Sequence, residues 1–156
     1  MQIAHNFVCD PQLAEISLKY KSKLHRDMMP VLQNPDDTAF YLRQIWDDDT
    51  MQLSEHFYCL MLQSDLRCLG WSRVHIGTKR SSLVDIQQLV TLALLSNASS
   101  ITVAHNHPSG ILHPSKADIS ITKRIKQAVE LVDIKLNDHL ILTRDSWSCF
   151  TQQGLL

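Results

Sequence analysis

The sequence predicts an α/β (α+β) domain built as a mixed β-sheet flanked by helices. Segments with strand-like alternation and segments with helical apolar spacing interleave along the chain. The length, 156 residues, suits one compact domain with a short appendage. The composition, 44% hydrophobic and 20% charged with 4 Gly and 5 Pro, excludes collagen-like, disordered and low-complexity chains.

Residues 1–35 read as an N-terminal arm and residues 36–156 as the domain. In the arm, Ala14-Glu15-Ile16-Ser17-Leu18-Lys19-Tyr20 alternates like an edge strand, and a basic stretch runs from Lys21 to Arg26. That stretch is a solvated strand edge or a partner-binding tail. Asp36-Asp37-Thr38 offers capping residues before an amphipathic helix, Ala39 to Trp46, which Asp47-Asp48-Asp49 ends. Strands are expected at Glu55 to Gln63 and Cys68 to Ile76, joined by the hairpin-like turn Ser64-Asp65-Leu66-Arg67. Apolar residues then recur at helical spacing from Val84 to Ser96, and Asn97-Ala98-Ser99-Ser100 stops that helix. A short strand, Ile101 to His105, runs into a Pro/Ser/Gly loop. A helix from Ser115 to Leu131 follows, then strands near Ile134 to Thr143 and Trp147 to Phe150.

Charge argues against a domain that lives on DNA or RNA by neutralising phosphates, since 15 Lys+Arg stand against 16 Asp+Glu. Cys9, Cys59, Cys68 and Cys149 are scattered without a CxxC pair, as reduced, buried thiols are. The longest apolar run, Leu89 to Leu95, is too short to span a bilayer, and the N-terminus lacks the pattern of a secretory signal. The expectation is a soluble, cytoplasmic protein that does not engage a membrane.

The 8 histidines direct attention to His105-Asn106-His107-Pro108-Ser109-Gly110. Residues i and i+2 of an extended segment share a face, so His105 and His107 can present two imidazoles to one point while Asn106 faces the other way. Pro108 has no N–H for the ladder and ends the strand there, where it opens into a loop. Two imidazoles suit zinc, but a catalytic site needs a third protein ligand and an open position for water. Asp118 and His113 compete for that third place. Ser115-x-x-Asp118 is also an ordinary helix start, with Ser as cap and Asp on the positive end of the helix dipole.

The string HxHPSG…PSxxD, with a Glu opening a strand some fifty residues earlier, resembles the JAMM motif of the JAB/MPN metalloprotease superfamily, and more closely the RadC family, often named as DNA repair proteins. The resemblance extends through Glu55-His56-Phe57, through Ala98 to Ala104 leading into the histidines, and through Asp138-His139-Leu140-Ile141; it covers about Thr38 to Leu156. It implies a single JAB/MPN-like (cytidine-deaminase-like) domain. His105, His107 and Asp118 would hold one zinc ion per chain, with a water as fourth ligand. Glu55 would take that water's proton as general base and return it to the leaving amine, and Ser115 would hydrogen-bond the oxyanion. Asp118 rather than His113 is then the ligand, and His113 an exposed loop histidine.

Other residues read more plainly. Glu55 alone would be a surface acid before a strand, and only its place in the pattern promotes it. His56, beside it, faces the opposite side and is not offered as a ligand. Asp138 either orients a ligand histidine or is a turn-side acid before a strand. His139, His75, His25 and His5 have no partner in sequence and read as structural or solvent-facing, and Trp46, Trp71 and Trp147 as core packing. Longer family members carry an N-terminal helix-hairpin-helix module; the residues before the domain here contain no such motif, so a short form is expected.

The function expected from this reading is hydrolysis of a peptide or isopeptide bond, with a peptide or protein substrate. The alternative is a metal-containing, nucleic-acid-associated binding module that uses the basic stretches Lys19 to Arg26 and Lys123-Arg124-Ile125-Lys126. A metal-free scaffold is a third class, opposed by the presence of every motif residue. The exposed strand of the arm could pair with another chain.

Overall fold

The structure, a computed structural model, describes residues 20–21, 24–76 and 84–156. Apart from Tyr20, the predicted edge strand Ala14 to Tyr20 lies outside these residues, as do His5 and Cys9. Five strands form one mixed sheet of order β2-β1-β3-β4-β5: β1 His56–Leu62, β2 Cys68–Ile76, β3 Ser100–Asn106, β4 Lys135–Leu142 and β5 Trp147–Cys149. β1 runs antiparallel to β2 and β3, β3 and β4 are parallel, and β5 returns antiparallel to β4. Among the described residues three α-helices, α1 Pro35–Ile45, α2 Ile86–Leu95 and α3 Lys116–Glu130, accompany the sheet.

Each element follows from local chemistry. Asn34 caps α1 by accepting the Asp37 N–H at 2.9 Å, with Pro35 at the first helical position, where its missing N–H costs nothing. Asp85 caps α2 through the Gln88 N–H, and Asn97 ends that helix in a left-handed conformation (φ 52°) that Asn tolerates well. The predicted turn from Ser64 to Arg67 closes the β1–β2 hairpin, with Gln63 N–H donating to the Arg67 carbonyl at 2.9 Å. Asp65 there receives Arg26 at 2.6 Å and Arg67 at 3.1 Å.

Strand alternation divides the interior into two layers. Phe57, Cys59, Met61, Ile101 and Val103 pack on one face with Leu89, Ala93, Ile125 and Val129 of α2 and α3. Tyr58, Leu60, Leu62, Ala104, Leu140 and Leu142 pack on the other with Ala39 and Leu42 of α1 and with Trp46. His105 continues the first set and Asn106 the second, so the two sit on opposite faces of β3. Trp46 is buried as expected, but Trp71 is 45% exposed and lies over Tyr58 with ring centroids 5.8 Å apart. Along β4 the register slips by one residue: Ile101 pairs with Leu136, but Thr102 pairs with Asp138, leaving Asn137 extra. An extra residue reverses the facing of everything beyond it. Asp138, Leu140 and Leu142 therefore turn toward α1, and His139 turns toward α3.

Candidate metal centre

The site forms where β3 ends and α3 begins. The antiparallel ladder between β1 and β3 stops at the pair Phe57 and His105, and His107 N–H passes instead to the Leu142 carbonyl of β4 at 2.9 Å. The chain then runs through Pro108-Ser109-Gly110, with Gly110 at φ 79°, and returns to start α3. Ser115 and Asp118 form a reciprocal cap: Asp118 N–H donates to Ser115 Oγ at 3.2 Å, and Ser115 N–H donates to Asp118 Oδ2 at 2.6 Å. The cap holds the Asp118 carboxylate over the two histidines. The helix-cap reading and the ligand reading of Ser115-x-x-Asp118 thus describe one arrangement.

His105, His107 and Asp118 each bring one donor atom to a common point, all within 4.8 Å of one another. The two Nε2 atoms are 2.9 Å apart. Asp118 Oδ1 lies 3.4 Å from the first and Oδ2 3.5 Å from the second. Both Nδ1 atoms are turned away: His107 Nδ1 donates to the Ile111 carbonyl at 2.5 Å, and His105 Nδ1 lies 2.8 Å from His139 Nε2. The donor set fits a zinc ion, which takes imidazole nitrogen and carboxylate oxygen at about 2.0–2.2 Å. His105 is 1% exposed and Asp118 9%, so the negative charge lies in a nearly dry place that favours a cation.

Electrostatics in the metal-free chain point the same way. Burial opposes the charged form of Asp118, yet hydrogen bonds from His105 and His107 outweigh it and hold the carboxyl well below the usual carboxylate range. The bond to Asp118 raises the His107 pKa against the effect of burial, and the Glu55 charge adds to that rise. Both shifts favour a positive charge beside the Asp118 carboxylate, where a cation would sit.

Glu55 stands one residue before β1, half-buried, and lines a cleft of about 630 Å³ with Leu53, Ser54, His107, Ile111, His113 and Ser115. The segment carrying Glu55 is fixed by Asn106, which is fully buried. Its amide donates to the carbonyls of Met51 at 2.7 Å and Ser54 at 2.9 Å, and its Oδ1 accepts the His56 N–H at 2.7 Å. His113 is exposed and outside the three-donor group. His56 bonds Ser54 Oγ and Thr50 Oγ1 instead of joining the histidines.

One sequence expectation is corrected and another narrowed. Asp138 does not reach a ligand histidine: its carboxylate accepts the backbone N–H groups of His139 and Thr151, on the α1 face of β4. His139, read as structural or solvent-facing, is the former: it is fully buried and contacts His105 directly. Both placements come from the extra residue at Asn137. His139 lies between Phe150, stacked at 4.5 Å, and the edge of Phe57 at 5.4 Å. Burial and the neighbouring His105 push its pKa well below the ordinary histidine value.

Residues 32–155 match the family described as a RadC-like JAB domain. A UPF0758 protein of Thioalkalivibrio sulfidiphilus is 37% identical over 125 residues, covering 80% of this chain and 54% of its own length. A UPF0758 protein of Pseudomonas syringae pv. tomato is 36% identical over 133 residues, 85% of this chain and 57% of its own. One of Neisseria meningitidis serogroup C is 37% identical over 126 residues, 81% and 55% respectively. The chain thus spans about half the length of the curated relatives it matches.

Proposed function

Because the chain belongs to the RadC-like JAB domain family, we propose that it is a zinc-dependent hydrolase that cleaves a peptide or isopeptide bond in the cleft beside His107. The observation that carries this reading is the convergence of His105 Nε2, His107 Nε2 and the Asp118 carboxylate on one nearly buried point. Zinc bound there would lower the pKa of a water to about 7 and polarise a carbonyl.

The remaining work falls to the chain's own groups. Glu55, in the cleft wall, accepts the proton of the attacking water and delivers it to the leaving amine, acting first as base and then as acid. Ser115 Oγ already accepts the Asp118 N–H, so what it offers a substrate is its own proton, aimed at the developing oxyanion. The cleft volume falls within the range of small-ligand and peptide pockets. The described cysteines Cys59, Cys68 and Cys149 are buried thiols, which agrees with work in the reducing cytoplasm. No helix among the described residues is long and apolar enough to cross a membrane.

The deciding experiment is elemental analysis of the purified chain beside His105→Ala/His107→Ala. About one zinc per chain, absent from the variant, supports the reading. A peptide-cleaving activity lost in Glu55→Gln then completes it. No bound metal in either protein, even after zinc is added, overturns it.

A second reading, a nucleic-acid-associated module, draws on Lys123 and Arg124, both exposed on α3. A salt-dependent DNA affinity that is lost when Lys123, Arg124 and Lys126 are neutralised would favour it.

A further inference from the structure

The cleft beside the three donors has two walls, and each turns one large apolar side chain to solvent. One wall is the turn before β1, which carries Leu53 and Glu55; the other is the loop that leaves β3, which carries His107 and Ile111. Leu53 is 69% exposed and Ile111 60%, so neither belongs to the core, and both line the cleft. A single exposed leucine or isoleucine is commonplace on a protein surface. Two from separate segments, on one concave surface that also holds Glu55 and His107, mark a place where an apolar ligand can be covered.

Both are held there by bonds that the metal centre already uses. His107 Nδ1 donates to the Ile111 carbonyl, so a candidate ligand and the apolar residue are tied through one backbone group. The Ile111 N–H reaches Ser109 Oγ at 3.4 Å. On the opposite wall the Leu53 N–H donates to the Thr50 carbonyl at 3.0 Å, and the Ser54 carbonyl accepts the buried Asn106 amide. The backbone under each side chain is therefore fixed beside Glu55 or His107, and little has to be ordered when a ligand covers them.

Charge selects the same ligand. Among the described lining residues there is no Lys or Arg, and the ionisable groups are Glu55, His107 and His113. An acidic side chain beside the scissile bond would meet the Glu55 carboxylate without a lysine or arginine to pair with. A basic one would pair with Glu55 and hold it away from the water. An apolar side chain does neither, and it removes Leu53 and Ile111 from water. We propose that Leu53 and Ile111 are specificity-determining residues that receive an aliphatic or aromatic side chain of a peptide substrate, next to the bond that is cut. The inference rests on the hydrolase reading for the bond, but the preference is a property of the cleft and can be read without turnover.

The test uses fluorescein-labelled hexapeptides that differ at one internal residue, Leu, Phe, Ala, Lys or Glu. Binding to the full chain is measured by fluorescence anisotropy with a chelator present, and cleavage by the zinc-loaded chain is measured separately. The Leu and Phe peptides should bind at least about tenfold tighter than the other three, the low end of what one methylene is worth in an apolar pocket. In Leu53→Ser/Ile111→Ser that advantage should fall to within about twofold, well short of that range. Zinc content should stay at the parental level there, because neither side chain is buried and the carbonyl at position 111 remains. Ile111→Lys should move the preference toward the Glu peptide. Equal binding of all five peptides, binding of none, or an advantage that survives the double substitution overturns the inference. Apolar-selective binding without cleavage of any peptide overturns the hydrolase reading and leaves the subsite standing; cleavage with no preference at the varied residue does the reverse.

Discussion

Asn106 Oδ1 accepts the backbone N–H of His56 at 2.7 Å, and so ties the residue that follows Glu55 to the point between the two candidate histidine ligands, His105 at the end of β3 and His107 just after it. The same amide donates to the carbonyls of Met51 and Ser54. Just where the β1–β3 ladder ends, one side chain takes over the work of backbone pairing. Asn106→Ala leaves two carbonyls and one N–H unpaired in a dry place, each worth about 1–3 kcal/mol. Urea denaturation should show a loss of several kcal/mol in total. Asn106→Asp should be worse than Ala, because it turns a carboxylate oxygen onto a carbonyl. A variant as stable as the parent would mean that this segment is held by something else.

Ligand identity is settled by comparing two residues that competed on spacing. His113 is exposed and points its loop toward the cleft, whereas Asp118 is locked into the cap with its carboxylate over the histidines. His113→Ala should retain about one zinc per chain, and Asp118→Ala should lose it or weaken it by orders of magnitude. The reverse result would make His113 the third ligand.

Zinc binding should depend on pH through His107. Its pKa is raised by the Asp118 bond, so in the metal-free chain the stabilising His107–Asp118 pairing is fully present below the ordinary histidine pKa and is lost as pH rises through the raised one. A cation must displace that proton. Affinity therefore climbs with pH until the raised His107 pKa is passed, by about tenfold per unit while one proton is released, and then levels off. Calorimetric titration in two buffers with different ionisation enthalpies reads the released proton directly. A pH-independent affinity with no proton release would contradict the arrangement.

The extent to which this site was legible follows from what each motif depends on. His105 and His107 share a face through a period of two, and Ser115 with Asp118 is a helix start; both are local rules that no distant contact can overturn. The five strands and three helices were legible for the same reason, to within a residue or two at their ends except at the start of α1, which begins at Pro35 under an Asn34 cap, four residues before the expected Ala39. Asp138 and His139 were not. Their facing depends on a register slip at Asn137, which is a property of how β4 pairs with β3 and leaves no mark in Lys135–Leu142 itself. Thr122 could have been found, because it follows Asp118 by four residues on the buried stripe Asp118, Thr122, Ile125, Val129. A buried polar residue on that stripe, next to apolar Ile125 and Val129, asks for a partner, and His139 is that partner. Asn106 was placed correctly on the opposite face, but its three hydrogen bonds reach residues fifty or more positions earlier and had no signal in sequence.

Glu55 and Ser115 separate chemistry from metal retention. Glu55→Gln keeps the shape of the side chain and removes its ability to take a proton, so zinc content should stay at the parental level while cleavage falls by about 10²–10⁴-fold. Ser115→Ala acts on two things at once, since the same oxygen caps α3 and faces the cleft. Loss of the cap should cost about 1 kcal/mol of stability, and loss of an oxyanion donor about 10²–10³-fold in rate. Ser115→Asp is the discriminating partner. A carboxylate caps a helix as well as a serine does but has no proton to give an oxyanion, so it should recover the stability and none of the rate. Recovery of both would leave Ser115 as a helix cap alone.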